Sequence, residues 1–301
     1  MDNALHIGDC LDVLRTLPDG CAHLIYLDPP FNTNARQIGR VRGKPNDAGL
    51  AYDDAFGSPA GYIAYMRPRV EAMRRVLAPN GSLFFHCDWR MSHHVRLMLD
   101  EIFFEARCCD STAVNESRSK LEAQGSGLFV NEIIWHYGLG ASKARRRLLT
   151  KHDVIFWYAN GPDYTFNLIR EEPTAAMLAK YCHMDEQGKR YMISYGRRYY
   201  LQGGKPLDDV WDMPAIAPTS HERVGYPTQK PLALLRRIIQ LASNEGDVVL
   251  DPFCGSGTTL VAAQELGRRW IGIDANPKAV ALARARLGIT RPDIPGTRAA
   301  S

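Results

Sequence analysis

The sequence predicts an α/β fold with a mostly parallel central sheet, and two observations support this prediction. The clearer one lies near the C-terminus, where strand and helix patterns alternate as Val248–Asp251, Thr258–Leu266, Trp270–Asp274 and Pro277–Leu287. Alternation at this spacing is typical of parallel strands joined by right-handed crossovers. The second is the apolar run Leu24–Asp28, which two prolines end as a buried strand ends at a loop.

The rest of the chain continues this pattern, except in two regions and a tail. The further elements are predicted, in chain order, as a helix over Pro68–Leu77, a strand over Ser82–His86, a helix over Ser92–Phe104, strands over Ile133–Trp135 and Val154–Tyr158, and a helix over Leu232–Ala242. Asn32–Pro59 lacks periodicity and is predicted as a long loop. Residues 165–222 are predicted as a small separate module, and Gly288–Ser301 as a polar tail.

Composition excludes several classes of protein. The chain has 301 residues, of which 45% are hydrophobic and 23% are charged, so a disordered chain is excluded. Its net charge of +4 permits nucleic acid as a partner without requiring it. The seven cysteines include no CxxC and the histidines lack ligand spacing, so neither a disulfide framework nor a metal site is predicted. Because no apolar run reaches membrane-spanning length and no secretion signal is seen, we expect a cytoplasmic, nucleoid-associated protein without membrane partners.

The first candidate site is the segment Asp251-Pro-Phe-Cys-Gly-Ser-Gly-Thr-Thr259, between a predicted strand and a predicted helix. Its two glycines allow close approach of the backbone to a ligand, as in nucleotide-binding turns. No GK[ST] sequence follows, so the turn is not a phosphate-binding P-loop and fits a ligand with an adenosine but no phosphate. Asp274 ends the next strand, where a carboxylate accepts hydrogen bonds from ribose hydroxyls. The alternative is a glycine turn that only links a strand to a helix.

The second candidate site is Asp28-Pro29-Pro30-Phe31, directly after the strand that begins at Leu24. The two prolines stiffen the turn and remove two N–H donors, so the turn offers acceptors: the Asp28 carboxylate and the Pro29 carbonyl. Phe31 adds a flat apolar surface. Two acceptors beside an aromatic ring suit an amino group on a planar base. Taken alone, the four residues could also form an ordinary turn.

Together these motifs resemble the S-adenosylmethionine-dependent DNA amino-methyltransferases, which pair a (D/N/S)PP(Y/F) motif with an FxGxG motif. The catalytic motif comes first here, as in the β group, whose Rossmann-like methyltransferase sheet is circularly permuted. Three further segments match this family: Ile7–Cys10, Asn131–Gly138 and Tyr226–Pro231. The resemblance divides the chain into a catalytic part over residues 1–165, a target recognition region over 166–222, a cofactor-binding part over 223–287 and a tail over 288–301.

The resemblance also implies roles for individual residues. It assigns catalysis to Asp28, Pro29, Pro30 and Phe31. It assigns binding of the cofactor, S-adenosyl-L-methionine, to Asp9, Cys10, Thr228, Gln229, Lys230, Asp251, Phe253, Cys254, Gly255, Ser256, Gly257, Thr258, Thr259 and Asp274. Asp9 could instead cap a helix beginning near Leu11, and Lys230 could be a solvated side chain. His86, Asp88 and Trp89 could line the base pocket or only cap their strand.

The implied reaction is methylation of an exocyclic amine on a base rotated out of duplex DNA. Asp in the catalytic motif slightly favours adenine N6, with cytosine N4 as the alternative. More distant alternatives are an RNA or protein amine methyltransferase and a non-catalytic DNA-binding protein. An oxidoreductase using NAD is disfavoured because Leu260 stands where the third glycine of its motif would be.

Clusters of basic residues are the predicted contacts with double-stranded DNA. They are Arg36, Arg40, Arg42 and Lys44, then Arg145, Arg146 and Arg147, and then Lys189, Arg190, Arg197 and Arg198. Members of the family also form homodimers and act beside a cognate restriction endonuclease. The sequence leaves both of these partners open.

Overall fold

A computed structural model describes residues 2–32, 56–104, 127–138, 146, 148–217 and 219–289, and the backbone of four short strands between residues 35 and 54. The strands are β1 (Ala4–Ile7), β2 (Ala22–Leu27), β3 (Ala35–Gln37), β4 (Gly39–Val41), β5 (Lys44–Asn46), β6 (Tyr52–Asp54), β7 (Leu77–Cys87), β8 (Leu128–His136), β9 (His152–Ala159), β10 (His183–Met184), β11 (Arg190–Ser194), β12 (Arg197–Tyr200), β13 (Val210–Asp212), β14 (Val248–Asp251) and β15 (Arg269–Asp274). The helices are α1 (Cys10–Thr16), α2 (Pro59–Val76), α3 (Ser92–Phe104), α4 (Ala175–Lys180), α5 (Leu232–Ala242), α6 (Thr258–Glu265) and α7 (Pro277–Arg286).

The largest sheet has eight strands in the order β1-β15-β14-β2-β7-β9-β8-β13. Every neighbouring pair is parallel except the two that involve β9, which runs against β7 and β8. The predicted mostly parallel α/β fold is therefore confirmed. In this order β14 lies beside β2, with Leu250 opposite Ile25. The two motif-bearing loops therefore leave adjacent strands at the same edge of the sheet.

Helices cover both faces of this sheet because its central strands are apolar on both sides. Ile25 and Leu27 pack with α1, α2 and α3, whereas Leu24 and Tyr26 pack with α5 and α6. The strand period of two residues produces this alternation. Asp28 comes directly after Leu27, the last residue of β2, so the buried strand fixes where the catalytic motif begins.

Predicted helix and strand bounds agree closely in the C-terminal part, while α2 begins earlier than predicted. The sequence analysis placed its start at Pro68, but the helix begins at Pro59. Ser58 caps it, since its hydroxyl accepts the Gly61 N–H at 3.1 Å. Proline is favoured in a first helical turn, and this rule applies to Pro59, whereas Pro68 lies inside the helix.

Two regions of irregular sequence contain short antiparallel sheets. The predicted loop Asn32–Pro59 holds the pairs β3–β6 and β4–β5. Within residues 165–222, β10, β11 and β12 form a separate three-stranded sheet, but β13 pairs with β8 at the edge of the large sheet. In the described part of the chain no helix is both long and apolar enough to span a membrane.

Candidate functional site

A cleft opens at the edge of the sheet where β1, β2, β14 and β15 end. Such edges are the usual ligand sites of open α/β sheets. Every residue predicted to bind the cofactor lines this cleft except Gly257, and Asp28 and Pro30 of the catalytic motif line it too. The sequence analysis missed several lining residues, namely Gly8, Tyr26, Tyr65, Tyr226, Leu235, Pro252, Ala275 and Asn276. Of these, Gly8, Tyr226 and Pro252 stood in quoted motifs and could have been proposed.

The turn between β14 and α6 requires its two glycines for different reasons. Gly255 has φ 49°, and a Cβ there would come 2.7 Å from the ring of Tyr226. Gly257 has φ 75°, and its Cβ would come 2.8 Å from that of Ala283 on α7. Gly255 therefore allows close approach of the Tyr226 ring, whereas Gly257 allows close packing of α7.

Asp274 joins this turn to the end of β15. One of its carboxylate oxygens accepts the Gly255 N–H and the other accepts the Asn276 N–H, each at 2.8 Å. Burial raises the pKa of Asp274, while these two hydrogen bonds lower it. A carboxylate oxygen has a second lone pair, so Asp274 can still accept hydrogen bonds from a ligand's hydroxyls.

Asp251 is the buried carboxyl group of the cleft. Burial, helped by the nearby charges of Asp28 and Asp274, raises its pKa to about 7 against the lowering effect of the hydrogen bonds from Thr259 and the Phe253 N–H. The Phe253 N–H lies 3.0 Å from Oδ1 of Asp251. The neutral form of this group is therefore present in the folded protein at pH values where an exposed aspartate is charged.

This carboxyl group should make stability fall as pH rises. An unfolded aspartate titrates near pH 4, so between about pH 4 and pH 7 the folded state binds more protons than the unfolded state. The free energy of unfolding of the wild type should therefore fall by an amount of the order of 2 kcal/mol between pH 5 and pH 8, and we expect Asp251→Asn to abolish this fall. Urea denaturation at both pH values measures it, with Asp12→Asn as the exposed control. Equal pH dependence in wild type and Asp251→Asn would contradict the prediction.

Asp28 and Lys230 form an ion pair inside the cleft. The Lys230 ammonium lies 2.5 Å from Oδ2 of Asp28 and 5.0 Å from the centre of the Phe31 ring. Lys230 is buried, so the alternative of a solvated side chain is wrong. Oδ1 of Asp28 is also buried and has no hydrogen-bond partner among the residues that the structure describes. Since an unpaired buried acceptor is costly, this atom is suited to a donor that a ligand brings.

Asp9 caps α1, and it also faces the cleft. Its Oδ1 accepts the Leu11 N–H at 2.8 Å and its Oδ2 lies 2.5 Å from Arg69. The capping alternative is therefore confirmed, and ligand binding by Asp9 stays a prediction. Cys10 is buried beside it, and burial raises the pKa of its thiol to about 12. This thiol is no nucleophile at neutral pH.

The remaining polar residues of the cleft are held by neighbours in the fold. Arg286 donates to the hydroxyls of Ser256 at 3.1 Å and Thr258 at 3.0 Å, a contact that the sequence did not indicate. Gln229 donates to the Glu222 carbonyl at 2.8 Å and accepts the Val224 N–H at 3.0 Å. These contacts fix the glycine turn and the segment that carries Gln229, both of which line the cleft.

His86, Asp88 and Trp89 are not among the cleft-lining residues. His86 is completely buried and hydrogen-bonded to Tyr26. Asp88 is paired with Arg90, and Trp89 is half-exposed. The three residues therefore separate, and His86 alone lies next to the catalytic motif, with its ring centre 5.7 Å from that of Phe31.

The basic residues that were predicted to contact DNA are not among the cleft-lining residues, wherever the structure describes them. Arg190 belongs to β11, and Arg197 and Arg198 belong to β12, where both are exposed. The Arg198 guanidinium lies 4.9 Å from the centre of the Tyr191 ring. Lys189 and Arg146 are exposed. Arg42, Arg145 and Arg147, and the side chains of Arg36, Arg40 and Lys44, lie outside the described residues.

The sequence of this chain is similar to those of known DNA methylases. A family model described as DNA methylase (N6_N4_Mtase) matches residues 22–285. The type II methyltransferase M.EcaI from Enterobacter cloacae is 31% identical over 90% of this chain, and the match spans 65% of M.EcaI, just under two thirds.

Two solved structures share the fold. The cytosine-N4-specific PvuII DNA methyltransferase superposes with a TM-score of 0.59 at 15% identity, over 98% of this chain and 88% of its own. The complex of M1.HpyAVI with SAM superposes with a TM-score of 0.56 at 18% identity, over 95% of this chain and 99% of its own.

Proposed function

Because the chain belongs to the DNA methylase family, we propose that it transfers a methyl group from S-adenosylmethionine to the exocyclic amine of a base in duplex DNA. One observation carries this proposal: Oδ1 of Asp28, which no described residue contacts by a hydrogen bond, lies in the cleft that also holds Asp274 and the glycine turn. An acceptor for an amine hydrogen thus shares one cavity with groups suited to an adenosine. The base would be rotated out of the duplex to reach it.

The residues of the cleft fit the proposed cofactor without a metal. Asp274 would accept hydrogen bonds from its ribose, and the glycine turn at Gly255 lines the same cleft. When bound, the cofactor supplies an electrophilic methyl group on a sulfonium. In the described part of the chain no three His, Cys, Asp or Glu side chains form a metal site.

Asp28 would make the amine reactive by accepting a hydrogen bond from it. An aromatic amine is a weak nucleophile because its lone pair is delocalised into the ring. Hydrogen bonds to Asp28 and to the Pro29 carbonyl favour a pyramidal nitrogen with a localised lone pair. The carboxylate would also stabilise the positive charge that develops on nitrogen as its bond to the methyl carbon forms and the bond from that carbon to sulfur breaks. The proton that the nitrogen then loses would pass to Asp28 or to water. Phe31 would stack on the base.

Lys230 must leave Asp28 before this chemistry. Its ammonium occupies Oδ2 and would repel the positive charge that develops on the amine. Thr228, two residues earlier, has φ 55°, a backbone conformation that costs a threonine energy. We infer that the segment 228–230 moves when the cofactor binds, and that Lys230 then pairs with the cofactor's carboxylate.

For the base we favour adenine N6, since Asp begins the catalytic motif, and we keep cytosine N4 as the second candidate. Both amines present two hydrogens on a planar ring, so the same acceptors serve either base. Purified protein, S-adenosylmethionine and unmethylated genomic DNA, followed by mass spectrometry of the nucleosides, test the proposal. N6-methyladenine supports the first choice, and N4-methylcytosine corrects only the base. If neither methylated base is found, the proposal that DNA is the substrate is wrong.

We expect the sheet of β10, β11 and β12 to contact DNA phosphates. Replacing Arg197 and Arg198 with alanine should weaken binding to any DNA sequence. It should also reduce the slope of log affinity against log salt by about one to two, since each phosphate contact contributes about 0.9. Fluorescence anisotropy over a salt series measures this slope. Arg15→Ala, at another exposed arginine, is the control, and an unchanged slope in the double variant would exclude this surface.

Homodimerisation and a cognate restriction endonuclease stay predictions from the family resemblance. The role of residues 166–222 in target recognition also stays a prediction.

A further inference from the structure

A buried polar cluster lies behind the catalytic turn, on three neighbouring strands. It consists of Tyr26 on β2, His86 on β7 and Asp153 on β9. The Tyr26 hydroxyl is 2.8 Å from Nδ1 of His86, and Nε2 of His86 is 3.2 Å from Oδ2 of Asp153. Tyr137 donates to the other Asp153 oxygen at 3.2 Å. The histidine ring is therefore held from both of its nitrogens.

The directions of these hydrogen bonds follow from the protonation of the end groups. Burial raises the pKa of Tyr26 well above its usual value, so its phenol keeps the proton and donates it to Nδ1. Burial also raises the pKa of Asp153, but hydrogen bonds from His86 and Tyr137 and the charge of Lys230 bring it below its usual value. The charged carboxylate accepts the proton of Nε2. His86 is thus hydrogen-bonded at both ring nitrogens.

Packing alone does not require a histidine at this position. Ile155, opposite His86 in the sheet, and Trp135 beside it are core residues, and a polar group costs more to bury among such residues than an apolar one of equal size. The ring of His86 instead lies between two other rings. It is perpendicular to Trp135 at 5.5 Å and tilted by 32° to Phe31 at 5.7 Å. Fixing the plane of His86 therefore restricts the plane of Phe31.

We propose that His86 is a positioning residue that sets the orientation of Phe31, and so of the target base stacked on it. This inference rests on the proposed function. Tyr26 and Asp153 act with His86 because their hydrogen bonds prevent rotation of its ring. Tyr26 also lines the cleft, so the cluster forms the wall against which the catalytic turn is fixed.

The test compares variants that break the cluster with one that breaks a similar bond elsewhere. His86→Phe keeps a ring beside Phe31 but removes both hydrogen bonds, and Tyr26→Phe removes one of them. The matched control is Tyr158→Phe, because Tyr158 also donates a buried hydrogen bond to an aspartate, Asp100, at 2.5 Å. Tyr158 is buried in the core cluster on the α3 side and does not line the cleft.

The readouts are the single-turnover rate of methyl transfer to saturating DNA and the KM for the cofactor. A misplaced reacting group can cost up to about 100-fold, so we expect His86→Phe to lose about tenfold in rate. Tyr26→Phe should lose less. The KM for the cofactor should stay at the wild-type value, and Tyr158→Phe should change neither quantity. Asp153→Asn, whose side-chain oxygen can still accept from Nε2, should retain more rate than Asp153→Ala.

Thermal melting of each variant separates positioning from stability. If His86→Phe folds and transfers methyl groups at the wild-type rate, the inference is wrong. The inference is also wrong if Tyr158→Phe shows the same ratio of lost rate to lost melting temperature as the cluster variants. If His86→Phe does not fold, Tyr26→Phe and the two Asp153 variants decide. A wild-type protein that methylates no DNA overturns the proposed function and this inference with it, whereas an active wild type with unaffected variants overturns this inference alone.

Discussion

Replacing Asp28 with alanine is expected to lower the single-turnover rate of methyl transfer by about 100- to 1,000-fold, the usual effect of removing one preorganised group from a reacting centre. The variant loses the Oδ1 atom that would accept a hydrogen bond from the amine, and it loses the negative charge beside the developing positive charge. Asp28→Asn keeps an acceptor without the charge, so its rate should lie between those of wild type and Asp28→Ala. Rapid-quench assays with radiolabelled cofactor measure these rates.

The ion pair with Lys230 supplies the control for this prediction. Alanine at position 28 leaves a buried ammonium without a partner, which by itself destabilises a protein. The double variant Asp28→Ala with Lys230→Met removes both charges, so its melting temperature should return toward that of wild type. Its rate should remain low. Recovery of the rate in the double variant would mean that Asp28 serves only to neutralise Lys230.

Asp274→Ala should weaken binding of S-adenosylhomocysteine, the unreactive product of the cofactor, by about 100-fold. Hydrogen bonds to a charged acceptor each contribute about 1.5–3 kcal/mol, and Asp274 would accept from the ribose hydroxyls. The variant also frees the N–H groups of Gly255 and Asn276, which the carboxylate holds at 2.8 Å, so the glycine turn loses its shape. Isothermal titration calorimetry measures the change.

Asp12→Ala is the matched control for Asp274, because its carboxylate is exposed and makes only a surface pair with Arg15. Binding by this variant should equal that of wild type. An Asp274→Ala protein that binds S-adenosylhomocysteine as tightly as wild type would show that the ribose lies elsewhere.

Both motif loops could be predicted from the sequence because each follows a strand directly. Residues 24–28 and 248–251 are short apolar runs, and the prolines and glycines after them leave little choice of local structure. The same local signals identified α3 and α5 with their observed bounds. The start of α2 was wrong because two prolines compete for the first turn and local rules do not rank them.

Contacts between distant parts of the chain could not be predicted in the same way. Lys230 and Asp28 are 202 residues apart in sequence, and the Tyr26–His86–Asp153 cluster exists only because β2, β7 and β9 are neighbours. Strand order and the reversed direction of β9 depend on how the whole sheet assembles. For Lys230 the sequence therefore left open whether the side chain is buried or solvated.

The ion pair between Lys230 and Asp28 has a consequence for the enzyme itself. Lys230 carries a primary amine into a cavity proposed to hold a methyl donor, beside the carboxylate that would activate an amine of DNA. As an ammonium it donates three hydrogens and has no lone pair, so it cannot attack a methyl carbon. Pairing with Asp28 in the empty cleft, and then with the cofactor's carboxylate, thus protects the protein from methylating its own lysine. Mass spectrometry of the protein after prolonged incubation with S-adenosylmethionine should find Lys230 unmodified.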